Sequence, residues 1–326
     1  MKVAVLGSGS WGTAIALYLG RLGFEVSQWC LEPEVVRSVA RQRENLLYLK
    51  GFKYPDTVSA TLSVEEAVEG ASFLFSVIPV QHTASFWREH RALLEGKPLV
   101  CASKGIEVDS LKTLSQLYWE VFGSLEEYFV LSGPTFAVEV AKGLPTAAVV
   151  TSIDGEGALE VAKRFSSTSF RLYASTDVKG VELGGALKNV IAIATGISDG
   201  MGLGNNARAA LITRGLHEIK RLGKALGAKE ETFYGLSGLG DLVLTCTGDL
   251  SRNRRFGLAL GRGEKPEEGR FVVEGVHTVK AVKALSDRLA VEMPISEAVY
   301  KIIYEGVSPK EAMEELLSRP VKEESL

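Results

Sequence analysis

Cysteine and histidine are both scarce in this chain: Cys30, Cys101 and Cys246 are its three cysteines, and four histidines are spread over 326 residues. An odd cysteine count, at spacings that match neither a disulfide framework nor a zinc site, excludes a disulfide-stapled fold. The cysteines read instead as small buried hydrophobes. His82, His90, His217 and His277 form no pair with metal-ligand spacing and further ligands, so no metal is expected. A serine or cysteine nucleophile is not expected either. Positive charge is not in excess, with 37 basic against 40 acidic side chains and a net charge of −3. That balance disfavours nucleic acid or a membrane surface as partner, while leaving room for a small basic pocket that takes an anion. No apolar run is long enough to span a bilayer; the best candidate, 190–197, is flanked by Lys188 and Asp199. Nothing after Met1-Lys2 resembles a leader segment. No integral membrane segment and a cytoplasmic location are the expectations.

The length exceeds what one core usually serves, so two domains are expected. Short apolar runs at 3–6, 26–29, 73–78, 99–102, 129–131, 147–151 and 170–173 alternate with helical periodicity. Several lack polar alternation, as strands covered on both faces do. One helix carries Trp11, Ala14, Ile15, Tyr18 and Leu22 on a single face and stops at Gly23. Ser63-Val64-Glu65-Glu66 and Ser308-Pro309-Lys310-Glu311 read as capping boxes. From about Asp177 onward only helices are expected: a long, nearly all-apolar one over 178–198, then 207–226, 252–260, 276–289, 294–304 and 309–317. The polar tail 322–326 is expected to fray. The fold class is therefore α/β plus all-α: a Rossmann-like, doubly wound parallel sheet over 1–177, followed by a helical domain over 178–326.

Gly7-Ser8-Gly9-Ser10-Trp11-Gly12 follows the first strand and opens a helix, the context a dinucleotide-binding turn requires. Gly7 permits the tight turn, Gly9 admits a pyrophosphate close to the backbone, and Gly12 allows close packing. Glu32 lies where an acidic residue bonds the adenosine 2′-hydroxyl, or where one caps the next helix. Arg37, Arg41 and Arg43 follow on that helix, within reach of a 2′-phosphate. NAD and NADP both remain open.

Lys104 follows a strand at the end where open α/β sheets bind ligands, placed to hold an anion or polarise a carbonyl. Lys188 sits inside Gly184-Gly185-Ala186-Leu187-Lys188-Asn189, in a helix apolar on most faces. A lysine there is costly unless paired or used, and desolvation brings it toward proton exchange near neutrality. Gly184 and Gly185 imply close approach of a cofactor or of the other domain. Asp241, in the apolar turn Gly238-Leu239-Gly240-Asp241-Leu242, is placed to orient Lys188, to meet a substrate hydroxyl, or to cap a helix. Ser251-Arg252-Asn253-Arg254-Arg255 reads as an anion site, with Ser251 capping a helix and Arg252 gripping phosphate.

Together these motifs resemble the bacterial-type NAD(P)-dependent glycerol-3-phosphate dehydrogenase family, from Gly7 to about Glu315. The resemblance implies a helical domain like the C-terminal one of 6-phosphogluconate dehydrogenase, and NAD or NADP as cofactor. It implies hydride transfer between sn-glycerol 3-phosphate and dihydroxyacetone phosphate, feeding phospholipid synthesis. It casts Lys188 as the acid–base, with Lys104 and Asp241 in the catalytic set. Lys104, Gly133, Thr135, Lys188, Asp241, Ser251, Arg252 and Asn253 are then the substrate contacts. Gly7, Gly9, Ser10, Trp11, Gly12, Lys104, Ala137, Arg252, Val272 and Glu274 are the cofactor contacts. Family members often carry a basic residue where this chain has Leu31. The partner implied is a small phosphorylated substrate, and the apolar helical half is compatible with a homodimer. A dehydrogenase acting on a hydroxy or keto acid, and a nucleotide-sensing module without catalysis, are the alternatives.

Overall fold

A computed structural model describes residues 1–266, 272–321, 323 and 324. Part of the polar tail (322, 325 and 326) lies outside the described residues. The chain forms two units: Met1–Ser103 with Leu114–Val178, and Lys104–Thr113 with Lys179–Leu326. The excursion Lys104–Thr113 thus belongs to the second unit, although its neighbours in sequence build the first.

The first unit is built on β1 (Lys2–Leu6), β2 (Glu25–Trp29), β3 (Val58–Thr61), β4 (Phe73–Ser76), β5 (Leu99–Cys101), β6 (Tyr128–Ser132), β7 (Thr146–Thr151) and β8 (Phe170–Ser175). They form one sheet in the order β3-β2-β1-β4-β5-β6-β7-β8. Val3, Ala4, Val5 and Leu6 of β1 are fully buried, which accounts for their uninterrupted apolar run. The sequence reading misses β3. Val58-Ser59-Ala60-Thr61 is a half-polar edge strand paired only with β2, so it needs no continuous apolar run.

The expectation of a parallel sheet also needs correction, because β7 runs antiparallel to β6. A parallel return needs a crossover of about a dozen residues or more, usually through a full helix. Here the link carries only the six-residue helix Ala137–Lys142, which ends in the left-handed Gly143. That helix packs on the helix Ser10–Arg21, where Arg21 donates to the Ala141 carbonyl at 2.6 Å. The helix Gly155–Phe165, capped by Asp154, then makes a true crossover to β8, which is parallel to β7. The architecture remains Rossmann-like, with an inverted pair at one edge.

The second unit surrounds the helix Val178–Gly200. By length and composition this helix could cross a membrane, but 94% of its most apolar window is buried in protein. Four glycines explain how its neighbour comes so close. A Cβ on Gly196 or Gly200 would overlap the carbonyls of Arg254 and Leu258, and one on Gly257 or Gly261 would overlap those of Ile193 and Ile197. The central helix and the helix Arg252–Gly261 therefore touch backbone to backbone. Gly184 has a similar cause: a Cβ there would lie 2.6 Å from the Ser237 carbonyl. The close approach read from that glycine is made by the π-helical turn Leu236–Gly240 of the same unit.

Helix ends follow the sequence in part. Ser308 and Glu311 form the expected reciprocal box. Ser63 accepts from the Glu66 N–H, but the Glu66 carboxylate turns to Thr61, so only half of that box exists. The helix expected over 294–304 is α-helical over Pro294–Tyr300 and π-helical over Lys301–Glu305.

The glycine crossing yields a test. Gly257→Ala should destabilise the protein by about 1–3 kcal/mol through overpacking, despite a helix-propensity gain of roughly 1 kcal/mol. Urea denaturation with an unchanged midpoint would show that the two helices have room to spare.

Candidate active site

The glycine-rich turn is shaped by backbone geometry. Gly7 has φ +120°, and a Cβ on it would sit 2.9 Å from the Val77 carbonyl. A Cβ on Gly12 would overlap the Gly7 carbonyl, so that glycine brings the helix against the start of its own turn. Beside Gly9 a Cβ would meet nothing within 4 Å, which leaves an open cradle. Gly9 also precedes the helix Ser10–Arg21, which has no side-chain cap and no acidic residue in its first turn. The first N–H groups and the positive end of the helix dipole are thus left for an anion, and a dinucleotide pyrophosphate fits this cradle. The Ser10 hydroxyl donates to the Tyr48 carbonyl at 2.8 Å. Trp11 packs against the core, and its buried indole N–H has no hydrogen-bond partner among the described residues.

A polar frame holds the turn from behind. Gln28 donates to the Gly7 carbonyl at 2.9 Å, and the Tyr54 hydroxyl holds Gln28 at 2.6 Å. The fully buried Asn45 donates to the Ser8 carbonyl and to Thr13, each at 2.8 Å. Glu32 does not cap the helix Pro33–Gln42. Its carboxylate accepts from Tyr48 at 2.6 Å and from Ser8 at 3.3 Å. Of the three arginines that follow, Arg43 lies just past that helix in a left-handed conformation. Its guanidinium donates to the carbonyls of Pro55 and Val58, which removes it from the 2′-phosphate candidates.

Gly133 and Thr135 follow β6, and Ala137 opens the short helix after it. Gly133 has φ +150°, and a Cβ on it would lie 2.9 Å from the Ala148 Cα. Close packing against β7 therefore leaves no room for a side chain there. The Thr135 hydroxyl donates to the Gly133 carbonyl at 3.1 Å.

In the second unit, Lys188, Asp241 and Lys104 form one cluster. Asp241 is the first residue of the helix Asp241–Thr247 and is 1% exposed. Its Oδ1 accepts from Lys188 Nζ at 2.5 Å, and its Oδ2 accepts from Lys104 Nζ at 2.7 Å. Of the roles open to Asp241, orienting Lys188 is the one this geometry displays. Lys188 also donates to Thr245 Oγ1 at 2.9 Å. Burial lowers the Lys188 pKa to about 8, against the opposing pull of the Asp241 carboxylate and with help from the Lys104 charge. Two ammonium groups around one carboxylate leave a formal surplus of one positive charge, which suits an anionic or electron-rich ligand oxygen.

Ser251 caps the helix Arg252–Gly261 by accepting from the Arg254 N–H at 3.2 Å. Arg252 is exposed at that N-terminus, while Arg254 is tied to Asp199 at 2.7 Å and Asp249 at 2.8 Å. Asn253 is engaged at both ends, donating to Asn189 and accepting from the Gly275 N–H, each at 2.9 Å. It ties together the helices carrying Lys188 and Arg252 and the helix Glu274–Leu289. Val272 is exposed, and Glu274 is the first residue of that last helix.

Thr245, Asn189 and Tyr48 were missed in the sequence. Thr245 lies four residues after Asp241, one helical turn on, in an otherwise apolar segment, a signal that was available. Nothing local marks Asn189 or Tyr48. Among the described residues no group of His, Cys, Asp and Glu is arranged to hold a metal.

Comparison with known proteins finds relatives over nearly the whole chain. The model of the NAD-dependent glycerol-3-phosphate dehydrogenase N-terminus matches residues 2–158, and that of the C-terminus matches 177–314. The glycerol-3-phosphate dehydrogenase (NAD(P)+) of Nitratidesulfovibrio vulgaris is 50% identical over 99% of this chain and 100% of its own length. The crystal structure of glycerol-3-phosphate dehydrogenase from Coxiella burnetii superposes with a TM-score of 0.93 at 40% identity, covering 98% of this chain and 99% of that one. The Saccharomyces cerevisiae glycerol-3-phosphate dehydrogenase structure gives 0.80 at 28% identity, covering 96% and 98%.

The lysine cluster can be tested by titration. With 15N-labelled lysine, one side chain, absent from Lys188→Met, should titrate near pH 8, and in Asp241→Asn it should titrate lower still, because the favourable counter-charge is gone while burial and Lys104 remain. A Lys188 signal that titrates at or above the ordinary lysine value would overturn this account of the site.

Proposed function

Because the chain belongs to the NAD-dependent glycerol-3-phosphate dehydrogenase family, we propose that it interconverts sn-glycerol 3-phosphate and dihydroxyacetone phosphate with NAD or NADP, and that Lys188 is its acid–base. The observation that carries the reading is the buried Lys188–Asp241–Lys104 cluster, with a lysine tuned to about 8. The turn Gly7, Gly9, Ser10, Trp11 and Gly12 holds the dinucleotide. When bound, it supplies the hydride donor or acceptor.

The side chains of the second unit then act on the substrate. In the reducing direction the Lys188 ammonium gives its proton to the C2 oxygen, and in the oxidising direction the neutral amine removes it. Lys104 helps polarise that oxygen. Asp241 fixes both ammonium groups and keeps Lys188 from falling further in pKa. Arg252 grips the phosphate, with Ser251 holding the helix end whose N–H groups face the same anion. Asn253 serves by positioning, since its amide is engaged with Asn189 and Gly275. Glycerol 3-phosphate supply for phospholipid synthesis and a cytoplasmic location belong to the same reading. A homodimer through the helical unit fits it as well.

The sign of the pH dependence follows from which form reacts. Reduction of dihydroxyacetone phosphate should weaken as pH rises through about 8, where Lys188 loses its proton, and oxidation should strengthen over the same window. Lys188→Ala should lower kcat by roughly 10²–10⁴-fold and leave dinucleotide binding intact; near-normal turnover would remove Lys188 from the mechanism.

Arg252 is tested by comparing two substrates. A charge-assisted hydrogen bond contributes about 1.5–3 kcal/mol, so Arg252→Ala should cut kcat/KM for dihydroxyacetone phosphate by roughly 10–150-fold. Dihydroxyacetone, which lacks the phosphate, should lose much less. Arg252→Lys should rescue only in part, because an ammonium lacks the planar fork. Equal losses for both substrates at unchanged dinucleotide affinity would show that Arg252 is not the phosphate anchor.

A further inference from the structure

Arg254 lies two residues beyond Arg252, in the first turn of the helix Arg252–Gly261, and is buried. All three of its guanidinium nitrogens are engaged. Nε donates to Asp199 Oδ2 at 2.9 Å, Nη2 lies 2.7 Å from the same oxygen, and Nη1 donates to Asp249 Oδ1 at 2.8 Å. Asp199 is in the last turn of the central helix Val178–Gly200. Its Oδ1 accepts from Arg208 Nε at 2.8 Å, on the next helix, Gly204–Ala225. Asp249, Arg254, Asp199 and Arg208 thus form a row of alternating charges that is neutral as a whole and joins three helices to the loop leading into Ser251. The Asp249 side chain is 96% exposed, so its pair with Arg254 contributes little. The Asp199 side chain is 5% exposed, and it is the partner that holds Arg254 in place.

The Arg254 carbonyl already presses on the central helix at Gly196. Such a contact sets how close the two helices lie. A glycine surface has no side-chain ridge, however, to stop one helix turning or sliding on the other. The polar ties supply that restraint. Asn253 holds Asn189, the neighbour of Lys188, and Arg254 holds Asp199, ten positions further along the same helix. At 1.5 Å per residue the two anchor points are about 15 Å apart along the axis. Two points so separated fix a direction, whereas one alone is a pivot. We infer that Arg254, held by Asp199, is a positioning residue for the phosphate end of the substrate: the ion pair fixes the direction of the first turn, so that Arg252 meets the phosphate while Lys188 meets C2. The inference rests on the roles proposed above for Arg252 and Lys188. A buried ion pair is a weak source of stability and is better suited to fixing register. Arg254 also brings no competing charge to the phosphate, since two carboxylates face it.

The test is steady-state kinetics of the full-length protein at saturating NADH or NADPH, with dihydroxyacetone phosphate and with dihydroxyacetone, alongside thermal melts. Arg254→Met keeps a long side chain and should fold, because Arg208 still pairs with Asp199 and Asp249 faces solvent. It should lower kcat/KM for dihydroxyacetone phosphate by about 10–100-fold, up to the scale of an ångström of misplacement, and that for dihydroxyacetone by less than about threefold. Asp199→Asn should give the same split between the two substrates. Arg254→Lys, which restores the charge, should recover part of the loss. In an Arg252→Ala background Arg254→Met should add no more than about a twofold loss, because Arg254 acts through Arg252. A purely structural role would lower the melting temperature and reduce both substrates alike, and equal losses would overturn the inference. So would an unchanged kcat/KM in Asp199→Asn and Arg254→Met, or a loss that adds in full to that of Arg252→Ala. Should Arg254→Met fail to fold, Asp199→Asn and Arg254→Lys decide the matter by the same ratio of substrates. Equal losses for both substrates in Arg252→Ala alone would instead defeat the phosphate-anchor reading on which the inference stands.

Discussion

A charged amine buried in a helical core is tolerable only with a partner, and the second unit is arranged around that requirement. Lys188 projects from the long, apolar central helix and is 7% exposed. Asp241 meets it with one oxygen and Lys104 with the other. Removing one partner of such a group would leave an uncompensated charge in low dielectric. This explains why Lys104 belongs with the second unit even though it leaves the last residue of a first-unit segment: the excursion Lys104–Thr113 carries a charge that Asp241 needs, and it also contributes Ile106 to the second core. The same three charges set the chemistry. One carboxylate between two ammonium groups stabilises both, yet not enough to return Lys188 to an ordinary lysine value against the effect of burial.

Precision in this cluster comes from missing side chains. Gly184 lets the backbone of the turn Leu236–Gly240 lie directly on the central helix, which places Asp241 one residue later. Gly196 and Gly200 facing Gly257 and Gly261 let the central helix and the helix Arg252–Gly261 meet at backbone distance. The separation of Lys188 from the helix N-terminus bearing Arg252 is therefore set by carbonyl-to-glycine contacts, which leave little freedom, rather than by flexible apolar side chains. Asn253, tied to Asn189 and to the Gly275 N–H, fixes the same junction through hydrogen bonds.

What the sequence reveals follows the range over which each signal acts. Seven of eight strands, the long helices and the serine cap at Ser308 are written in local periodicity and are legible. β3 is harder to read, since Val58-Ser59-Ala60-Thr61 alternates apolar and polar over only four residues, the shortest span that marks a half-buried strand. The reversal of β7 is not legible, because it depends on how far a short helix can carry the chain. Among site residues, Lys188 stands out as a charge in an apolar run, and its partner Asp241 as a lone carboxylate in a glycine-rich one. Glu32 and Asn253 are visible as residues, but their partners lie 16 and 64 positions away, at Tyr48 and Asn189. Gly133 is likewise visible as a residue, with its reason far off in sequence. The lack of a side chain there follows from the Ala148 backbone pressing on it, a contact no local pattern announces.

The two units handle negative charge by different physics, and this separates what each can tolerate. At the glycine-rich turn an uncapped helix end supplies N–H donors and a dipole whose influence is confined to its first turn. Such a site works only if a ligand can come close. Side chains are excluded at Gly7 and Gly12, where the space is filled by backbone, while the space beside Gly9 is open. In the second unit ammonium and guanidinium groups act over longer distances, and longer side chains can adapt. There the sensitive element is charge balance, since every gain or loss of a proton at Lys188 is felt by Asp241 at 2.5 Å, whose other oxygen holds Lys104 at 2.7 Å. Shape dominates where the backbone binds, and ionisation dominates where side chains do. For that reason the glycine-rich turn is held rigid by a neutral frame of Gln28, Asn45 and Tyr54, while the lysine cluster is held by ions.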